Sequence, residues 1–342
     1  MGASGILREL AHAELENKSY TTAQRHLKTL LKIDPNPVMR QSYLHQLRRL
    51  KQSKKLHFGL SFAIAPSSNI NQGTYEDLLD TVIGDLVVDE DSKARSGVGL
   101  SLGLNSQLRL AQNGQSRLGL KAALGVTRYP AFNDLNQNST DLSLLYQRST
   151  RSGLLAFEPY WQVTRQQDNS DRQVAGLAFT LNHRLAPNWT YQIVLKAEER
   201  RYRGNPRKNG TAGSLQGRLR YAWRPKLHVE GVLTLQRVNA EADHLAHWGR
   251  RGEIKLTRAF ETGHLGSLSV FAGQHQFDGD FPLTTTARAD RTWGLSLQLT
   301  FPSIGATALQ PQLGCVLSRG RSNIALYNSN TQSCALSFQR AF

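Results

Sequence analysis

From about residue 56 to the C-terminus the chain alternates apolar and polar positions in runs of ten residues or more. Leu56, Phe58, Leu60, Phe62 and Ile64 fall on one parity, and His57, Gly59, Ser61 and Ala63 on the other. Val98, Leu100, Leu102 and Leu104 oppose Gly97, Gly99, Ser101 and Gly103 in the same way. So do Phe157, Trp161 and Val163 against Glu158, Tyr160 and Gln162, and Trp293, Leu295, Leu297, Leu299 and Phe301 against Thr292, Gly294, Ser296, Gln298 and Thr300. A period of two places each set on one face of an extended strand. Strands this long, greasy on one face and small or polar on the other, predict an antiparallel sheet closed on itself in a membrane, with the apolar set against lipid and the other set in the lumen. A soluble sandwich alternates too, but with shorter strands.

Fourteen strands are predicted, at about 56–65, 95–111, 116–129, 138–150, 154–166, 172–186, 189–203, 210–224, 227–240, 246–260, 264–276, 287–301, 305–320 and 329–342. Their connections alternate in length. Tight turns are expected at 112–115, 151–153, 187–188, 225–226, 261–263 and 302–304, with longer loops between them and the longest over 66–94. Outer-membrane barrels keep short turns on the periplasmic side and long loops outside. An even strand count returns both barrel ends to the periplasmic side. Aromatic residues near strand ends, namely Tyr129, Phe132, Trp189, Tyr202, Trp223, Trp248, Phe260 and Phe301, are expected to form interfacial girdles.

Upstream the period changes to three and four. Leu7, Leu10, Ala11 and Leu15, then Ala23, Leu27, Leu30 and Leu31, predict two helices within 6–33, and Tyr43, Leu44, Leu47 and Leu50 mark a third over about 37–54. Ala13, an aromatic at the turn (Tyr20), then Ala23, Leu27 and the closing Pro35 match one tetratricopeptide repeat. Two domains are therefore expected: a helical, periplasmic, tetratricopeptide-like segment over 1–55, and the barrel over 56–342. Stable solenoids need about three repeats, so this segment is read as truncated or as docking on the barrel.

Composition narrows the class. No run of 18 apolar residues occurs, which excludes a transmembrane helix. The mean hydropathy of −0.44 is compatible with a barrel, in which only every second residue meets lipid. The net charge is +16, of which +7 lies in residues 1–55 (11 Lys/Arg against 4 Asp/Glu). Without a recognition helix or an RNP-type motif this charge does not indicate nucleic acid; a basic lumen, anionic lipid or an acidic client fits it better. The first residues show no secretory signal, so the sequence is read as a mature form, a fragment or a mis-started gene. Cys315 and Cys334 fall on the last two strands, where they are expected opposite each other as two small residues facing lipid; an oxidising compartment also permits a bond between them.

Three polar signatures stand apart: Pro66-Ser67-Ser68-Asn69-Ile70-Asn71-Gln72 after the first strand, Arg288-Ala289-Asp290 opening the twelfth, and Arg321-Ser322-Asn323-Ile324-Ala325-Leu326-Tyr327 between the last two. Ser-Asn-Ile occurs near each end of the barrel, where strands 1 and 14 must meet. Asn supports tight turns and bridges backbones, so these are loop chemistry at the seam or a gate that contacts a client. The set, in this order and ending on the aromatic Phe342, resembles the surface lipoprotein assembly modifier (Slam) family, whose members join a periplasmic tetratricopeptide region to a 14-stranded outer-membrane barrel. The resemblance implies a translocon for lipoproteins or related secreted clients. It also implies contact with outer-membrane lipid and the barrel-assembly machinery (Phe342 as its signal), with no cofactor and no catalysis. Client or gate candidates are Ser68, Asn69, Asn71, Arg288, Asp290, Ser322, Asn323 and Tyr327. Gly97, Gly99, Gly103 and Gly294 are expected to leave room in the lumen, and Lys121, Glu158, Lys196 and Glu198 to set its selectivity or to pair and fill it. The alternative is a passive channel for small solutes, with the acidic loop over 66–94 as its constriction. Gly-x-Ser-x-Gly is absent, and His275, Asp278 and Asp280 with Asp168 and Asp171 are only a weak imitation of a rim protease site.

Overall fold

The computed structural model describes residues 3–17, 19–53, 55–167, 171–304 and 309–341. Two compact units emerge, Met1–Leu56 and His57–Phe342.

The first unit contains α1 (Ala3–Glu16), α2 (Tyr20–Ile33) and α3 (Pro37–Ser53). Ala11, Ala23, Leu27, Leu30, Tyr43 and Leu50 form its core, with Leu7, Leu15, Tyr20, Leu31 and Leu47 packed around them. The helical period thus selects most of the predicted face. Ala13 is a correction: it is exposed, and Ala11 is the small residue that lets α1 approach α2. Leu10 and Leu44 also point outward, because only one stripe of each helix can face the shared core. Pro35 lies exposed in the turn before α3. The node of this unit is Asp34, 4% exposed at the end of α2. Its carboxylate accepts from the Tyr43 hydroxyl (2.7 Å), the Asn36 amide (3.0 Å) and Arg8 (3.3 Å). These bonds, that from Tyr43 first, hold the carboxyl below its ordinary range.

The second unit is a closed antiparallel barrel of fourteen strands. They are β1 (Leu56–Ser67), β2 (Gly97–Asn113), β3 (Ser116–Arg128), β4 (Gln137–Ser149), β5 (Gly153–Gln166), β6 (Arg172–Ala186) and β7 (Trp189–Tyr202), followed by β8 (Gly210–Arg224), β9 (Leu227–Ala240), β10 (His247–Ala259), β11 (Leu265–Asp280), β12 (Ala287–Thr300), β13 (Gln310–Ser322) and β14 (Ser329–Ala341). Each strand pairs with its neighbours in sequence, and β1 with β14 closes the ring. Closure removes both sheet edges, so strand pairing continues all the way round with no edge open to lipid, as a membrane-spanning sheet requires.

Alternation carries through as predicted. Phe58, Phe62, Leu102, Trp161, Leu195, Leu233, Ile254 and Leu295 are exposed on the outer face. Three boundaries differ from expectation. β11 runs on to Asp280 past an irregular register between Gln276 and Asp280. β13 begins at Gln310, so the connection after β12 is not tight; Ile304 bridges Leu309 within it. The turn between β2 and β3 is shortened to Gly114 and Gln115, and Gly114 supplies the positive φ (+51°) that so short a reversal needs.

Candidate functional site

Inside the barrel three of the four predicted charges are in ion pairs, Lys121 with Glu158 and Glu198 with Arg200, while Lys196 lies over an aromatic ring. Lys121 donates to Glu158 at 2.7 Å, and Ser143 to the same carboxylate oxygen at 2.6 Å. Tyr160 donates to Glu198 at 2.6 Å, Arg200 grips the other Glu198 oxygen at 2.8 and 2.6 Å, and Lys196 lies 5.8 Å from the centre of the Tyr160 ring. The outcome is the ion-paired filling rather than a free charge ladder. The lumen glycines do not leave room as expected. A Cβ on Gly97 would lie 2.9 Å from Ile70, on Gly99 3.0 Å from Tyr129, on Gly103 2.5 Å from Ser61 and on Gly294 2.5 Å from Phe271. Each glycine is the gap into which a neighbour already fits.

The girdle expectation is partly corrected. Trp189, Trp223, Trp248 and Phe260 are exposed on the outer face. Tyr129 and Phe132 instead pack over Gly99 and Gly97, and Tyr202 shares the inner parity of β7 with Lys196 and Glu198. Strand-end position alone does not fix the face; parity does.

The three polar signatures all sit at the long-loop end. In the first, the Asn69 side chain, 3% exposed, donates to the Gly73 carbonyl (2.9 Å) and accepts from the Gly73 amide (2.8 Å). Asn71 bridges the returning chain, donating to the Lys93 carbonyl (2.7 Å) and accepting from the Arg95 amide (2.9 Å). Asn323 repeats this device on β12, donating to the Ala287 carbonyl (2.9 Å) and accepting from the Ala289 amide (2.7 Å). In both places one amide side chain replaces a missing ladder partner. Ser322 accepts from the Ile324 amide (3.1 Å), and Ser68 accepts from the Gln332 amide (2.9 Å), which ties the end of β1 to β14.

Arg288 and Asp290 are 16% and 15% exposed and form a forked pair at 2.9 and 2.6 Å. The guanidinium plane is also sandwiched, with the Phe277 ring centre at 4.5 Å and that of Tyr327 at 3.0 Å. Arg288, Asp290, Asn323 and Tyr327 therefore form one assembly, while Ser68, Asn69 and Asn71 build the base of the loop over 68–96.

What joins the two groups was not read from the sequence. Thr74, fully buried, donates from its hydroxyl to the Ala325 carbonyl at 2.7 Å. The Tyr75 amide donates to the Asn328 carbonyl at 3.3 Å, and the Asn328 side chain donates to Glu76 at 3.0 Å. Arg321 bonds the Tyr75 hydroxyl. Leu79 and Val88 close over Ile324, with Phe281, Leu326 and Tyr327 against them. The long loop is thus latched onto the last loop. The Leu78-Leu79 and Leu86-Val87 segments form a small ladder of their own, and Asp77 and Glu90 both pair with Lys93 at 2.8 Å. Val82 also donates to the carbonyl of Leu283, which has a positive φ of 63°. A recurring signal was available: Asn136, Asn209 and Asn328 each follow a short 3-10 turn, and each accepts from a backbone amide at the end of the preceding strand, that of Tyr129 (2.7 Å), Tyr202 (2.7 Å) or Ser322 (2.9 Å).

Beneath the latch runs the seam. β1 pairs with β14 from Gly59 opposite Ala341 to Ile64 opposite Leu336, and resumes at Ser67 opposite Ser333. The interruption contains Pro66, which has no N–H to donate. The next pair, β13 with β14, is continuous from Gln310 opposite Gln339 to Gly320 opposite Ser329, and Cys315 is disulfide-bonded to Cys334 across it. Two free small residues were the expectation; the cysteines share the lipid-facing parity as predicted, but they are joined. Phe342 lies outside the described residues, as does Asp168. The rim-protease imitation dissolves: Asp278 pairs with Arg237 on the outer face at 2.5 Å, whereas His275 packs inward against His247. Among the described residues no cluster of three or more His, Cys, Asp or Glu side chains is placed to hold a metal.

The family model described as surface lipoprotein assembly modifier matches residues 56–342, the whole barrel. The chain belongs to the surface lipoprotein assembly modifier family. Surface lipoprotein assembly by translocation across the outer membrane is this family's work, its members are not enzymes, and surface lipoproteins are its clients. Surface lipoprotein assembly modifier 2 of Neisseria meningitidis serogroup B (strain ATCC BAA-335 / MC58) is 23% identical over 358 residues, covering 93% of this chain and 69% of that one. Among solved structures, Pseudomonas aeruginosa OpdL is similar with a TM-score of 0.40 at 10% identity, covering 85% of this chain and 99% of its own. Acinetobacter baumannii OccAB3 is similar with a TM-score of 0.41 at 7% identity, covering 84% and 99%.

Proposed function

We propose that this Slam-family barrel passes its lipoprotein clients along the β1–β14 seam, with the latch between the long loop and the last loop as its outer gate. The observation that carries this reading is the contrast at β14: an interrupted ladder on one side, a continuous and cross-linked one on the other. Among the described residues the seam pairs seven positions and its neighbour eleven, and the bonds at the seam's outer end belong to loops. Asn69, Asn71, Ser68, Ser322 and Asn323 hold the gate's two halves in shape, and Arg288, Asp290 and Tyr327 anchor the half on β12 and the last loop. The helical segment over 1–55, with Tyr20, Ala23, Leu27 and Pro35 in a tetratricopeptide-like arrangement, is assigned to the periplasm. There its basic surface meets clients before they reach the barrel over 56–342. The short-turn end faces the periplasm by the barrel rule. Outer-membrane lipid surrounds the apolar band, and the assembly machinery reads the aromatic Phe342 as its signal.

The test is protease accessibility of a co-expressed surface lipoprotein on intact cells, with and without this protein supplied with an export signal. Barrel-dependent digestion supports the reading; a client that stays protected while the barrel is inserted contradicts it. The passive-channel alternative is then judged by single-channel conductance. The paired bore charges give it little support, because a charge engaged at 2.6–2.8 Å by its neighbour is a poor guide for a passing ion.

A further inference from the structure

The outer wall opposite the seam carries a groove. About 790 Å³ in volume, it is lined on the lipid face by Ile193, Gly217, Leu219, Leu233, Gly252 and Ile254, among others. Its floor is backbone: Gly217, Gly231 and Gly252 sit on the outer parity of β8, β9 and β10, and a Cβ built on any of them meets nothing within 4 Å. These glycines differ from those of the lumen, where a neighbour fills each gap. The volume falls in the range of about 300–1,000 Å³ typical of ligand clefts.

Above and to one side, over β10 to β13 toward the long-loop end, the outer face turns basic. Arg250, Gln274, Arg291 and Arg321 form one cross-strand row from β10 to β13. This row is two residues, about 7 Å, beyond that of Gly252. Arg319 shares the outer parity of β13 and lies opposite Trp293. Two carboxylates on this face are already engaged, Glu199 by Arg201 at 2.7 Å and Asp278 by Arg237 at 2.5 Å. Arg321 is held by Tyr75 and approaches Glu76 at 4.0 Å. Arg250 bonds the Gln274 amide oxygen at 2.7 Å. Among the described residues Arg250, Arg291 and Arg319 have no carboxylate partner within ion-pair distance. Arg291 stands directly opposite Arg321, an arrangement of like charges that destabilises a sheet unless an anion intervenes. Toward the short-turn end, Arg258 is the next charge on the outer parity of β10. The span from Arg258 to Arg250 is about 20 Å of membrane depth at the usual strand tilt. Arg250 therefore lies at one lipid–water boundary, and by the barrel rule that boundary belongs to the outer leaflet.

We propose that this wall binds one phosphate-bearing acylated lipid of the outer leaflet, with an acyl chain in the groove and the phosphate on Arg250, Arg291 and Arg319. Charge complementarity selects this occupant. A neutral acyl chain needs no arginines, a soluble anion needs no apolar groove at membrane depth, and guanidinium groups suit phosphate through paired, charge-assisted bonds. The bound lipid then braces the outer wall from β8 to β13, the strand that the disulfide joins to β14.

The test titrates the full chain, purified in detergent, with diphosphorylated lipid A and with the same lipid enzymatically dephosphorylated, counting bound lipid by native mass spectrometry. The phosphorylated lipid is expected to bind at least about tenfold more tightly. Arg291→Gln combined with Arg319→Gln is expected to abolish that preference. Gly217→Leu combined with Gly252→Leu, which fills the groove without touching the arginines, is expected to weaken binding by about tenfold or more. Heat-modifiable migration on gels confirms a closed barrel in each variant, and the wild-type comparison of the two lipids needs no variant to fold. Equal affinity for the two lipids, or binding unmoved by either double substitution, overturns the proposal. Loss in the arginine variant with full binding in the groove variant also overturns it, because the acyl chain then lies elsewhere.

Discussion

The two junctions that β14 makes with its neighbours differ in kind. On the β13 side the ladder is unbroken from Gln310 to Gly320, and a disulfide between Cys315 and Cys334 crosses it in the apolar band. On the β1 side the ladder breaks at Ala65 and Pro66, and the outer end is held by side chains and loops, through Ser68 on β14 and Thr74 on the last loop. In lipid an open ladder is costly, because no water replaces the lost partners. The β4–β5 ladder is interrupted too, where Leu144 and Leu145 face Glu158 and Pro159, so what sets the seam apart is its outer end, held by loops through polar contacts that water and a client at the surface can replace. The disulfide then has a directional meaning: it keeps β14 with β13 and leaves β1 as the strand that separates.

The sharpest perturbation of the gate is Arg288→Ala. It leaves Asp290 without its forked partner and strips two aromatic faces, and is expected to cost about 3 kcal/mol of local stability at the rim, read as faster proteolysis of the last loop in lipid-reconstituted protein. A rate equal to wild type would remove the β12 anchor from the account. Joint replacement of Cys315 and Cys334 by Ala makes the second junction more like the first. The loop closed by the bond spans 19 residues, and its loss is expected to lower resistance to unfolding by about 2–4 kcal/mol while leaving lipoprotein display intact. Asn69→Ala strips the buried Gly73 carbonyl of its amide donor and leaves the Gly73 amide only a longer bond to Asn71 at 3.4 Å, for about 2 kcal/mol. The long loop should then exchange its amides with solvent sooner, with the β13–β14 ladder unaffected. Smallest is a pH effect in the helical unit. The Asp34 carboxyl titrates below its ordinary range when folded, so its stabilisation is fully present above the unfolded value. It is lost as pH falls through the lower folded value. Amides of α2 and α3 should lose exchange protection on that acid limb in wild type, and Asp34→Asn should flatten the dependence.

Much of this molecule is legible in its sequence for one reason: a membrane barrel repeats one rule. Lipid forces alternate residues to be apolar, so strand count, order and facing follow from parity alone, and even Cys315 and Cys334 fall opposite each other. Boundaries fail where the rule stops. The polar rim lets β11 continue to Asp280, and Pro302 and Pro311 flank the delayed start of β13. Within the site, the asparagine clusters were visible because amide side chains at strand ends announce loops. Their roles were not, since Asn71 and Asn323 act on chain segments 22–36 residues away. Thr74 was invisible, because a threonine beside a glycine in a long loop carries no periodic signal and its partner, the Ala325 carbonyl, is 251 residues distant. The lumen glycines misled for the converse reason: a missing side chain reads as space, but packing across strands decides whether the space is occupied.

The central claim is that clients leave along β1 and β14. Phe62 and Phe338 are direct cross-strand partners on the lipid face of the seam. With the native cysteines replaced by Ala, Phe62→Cys and Phe338→Cys install a bond at that position, and surface display of a lipoprotein is then measured on intact cells before and after reduction. The account predicts that display stops under oxidising conditions and returns on reduction, while the barrel stays folded throughout. Display that continues with the seam covalently closed would contradict it and place the route in the lumen.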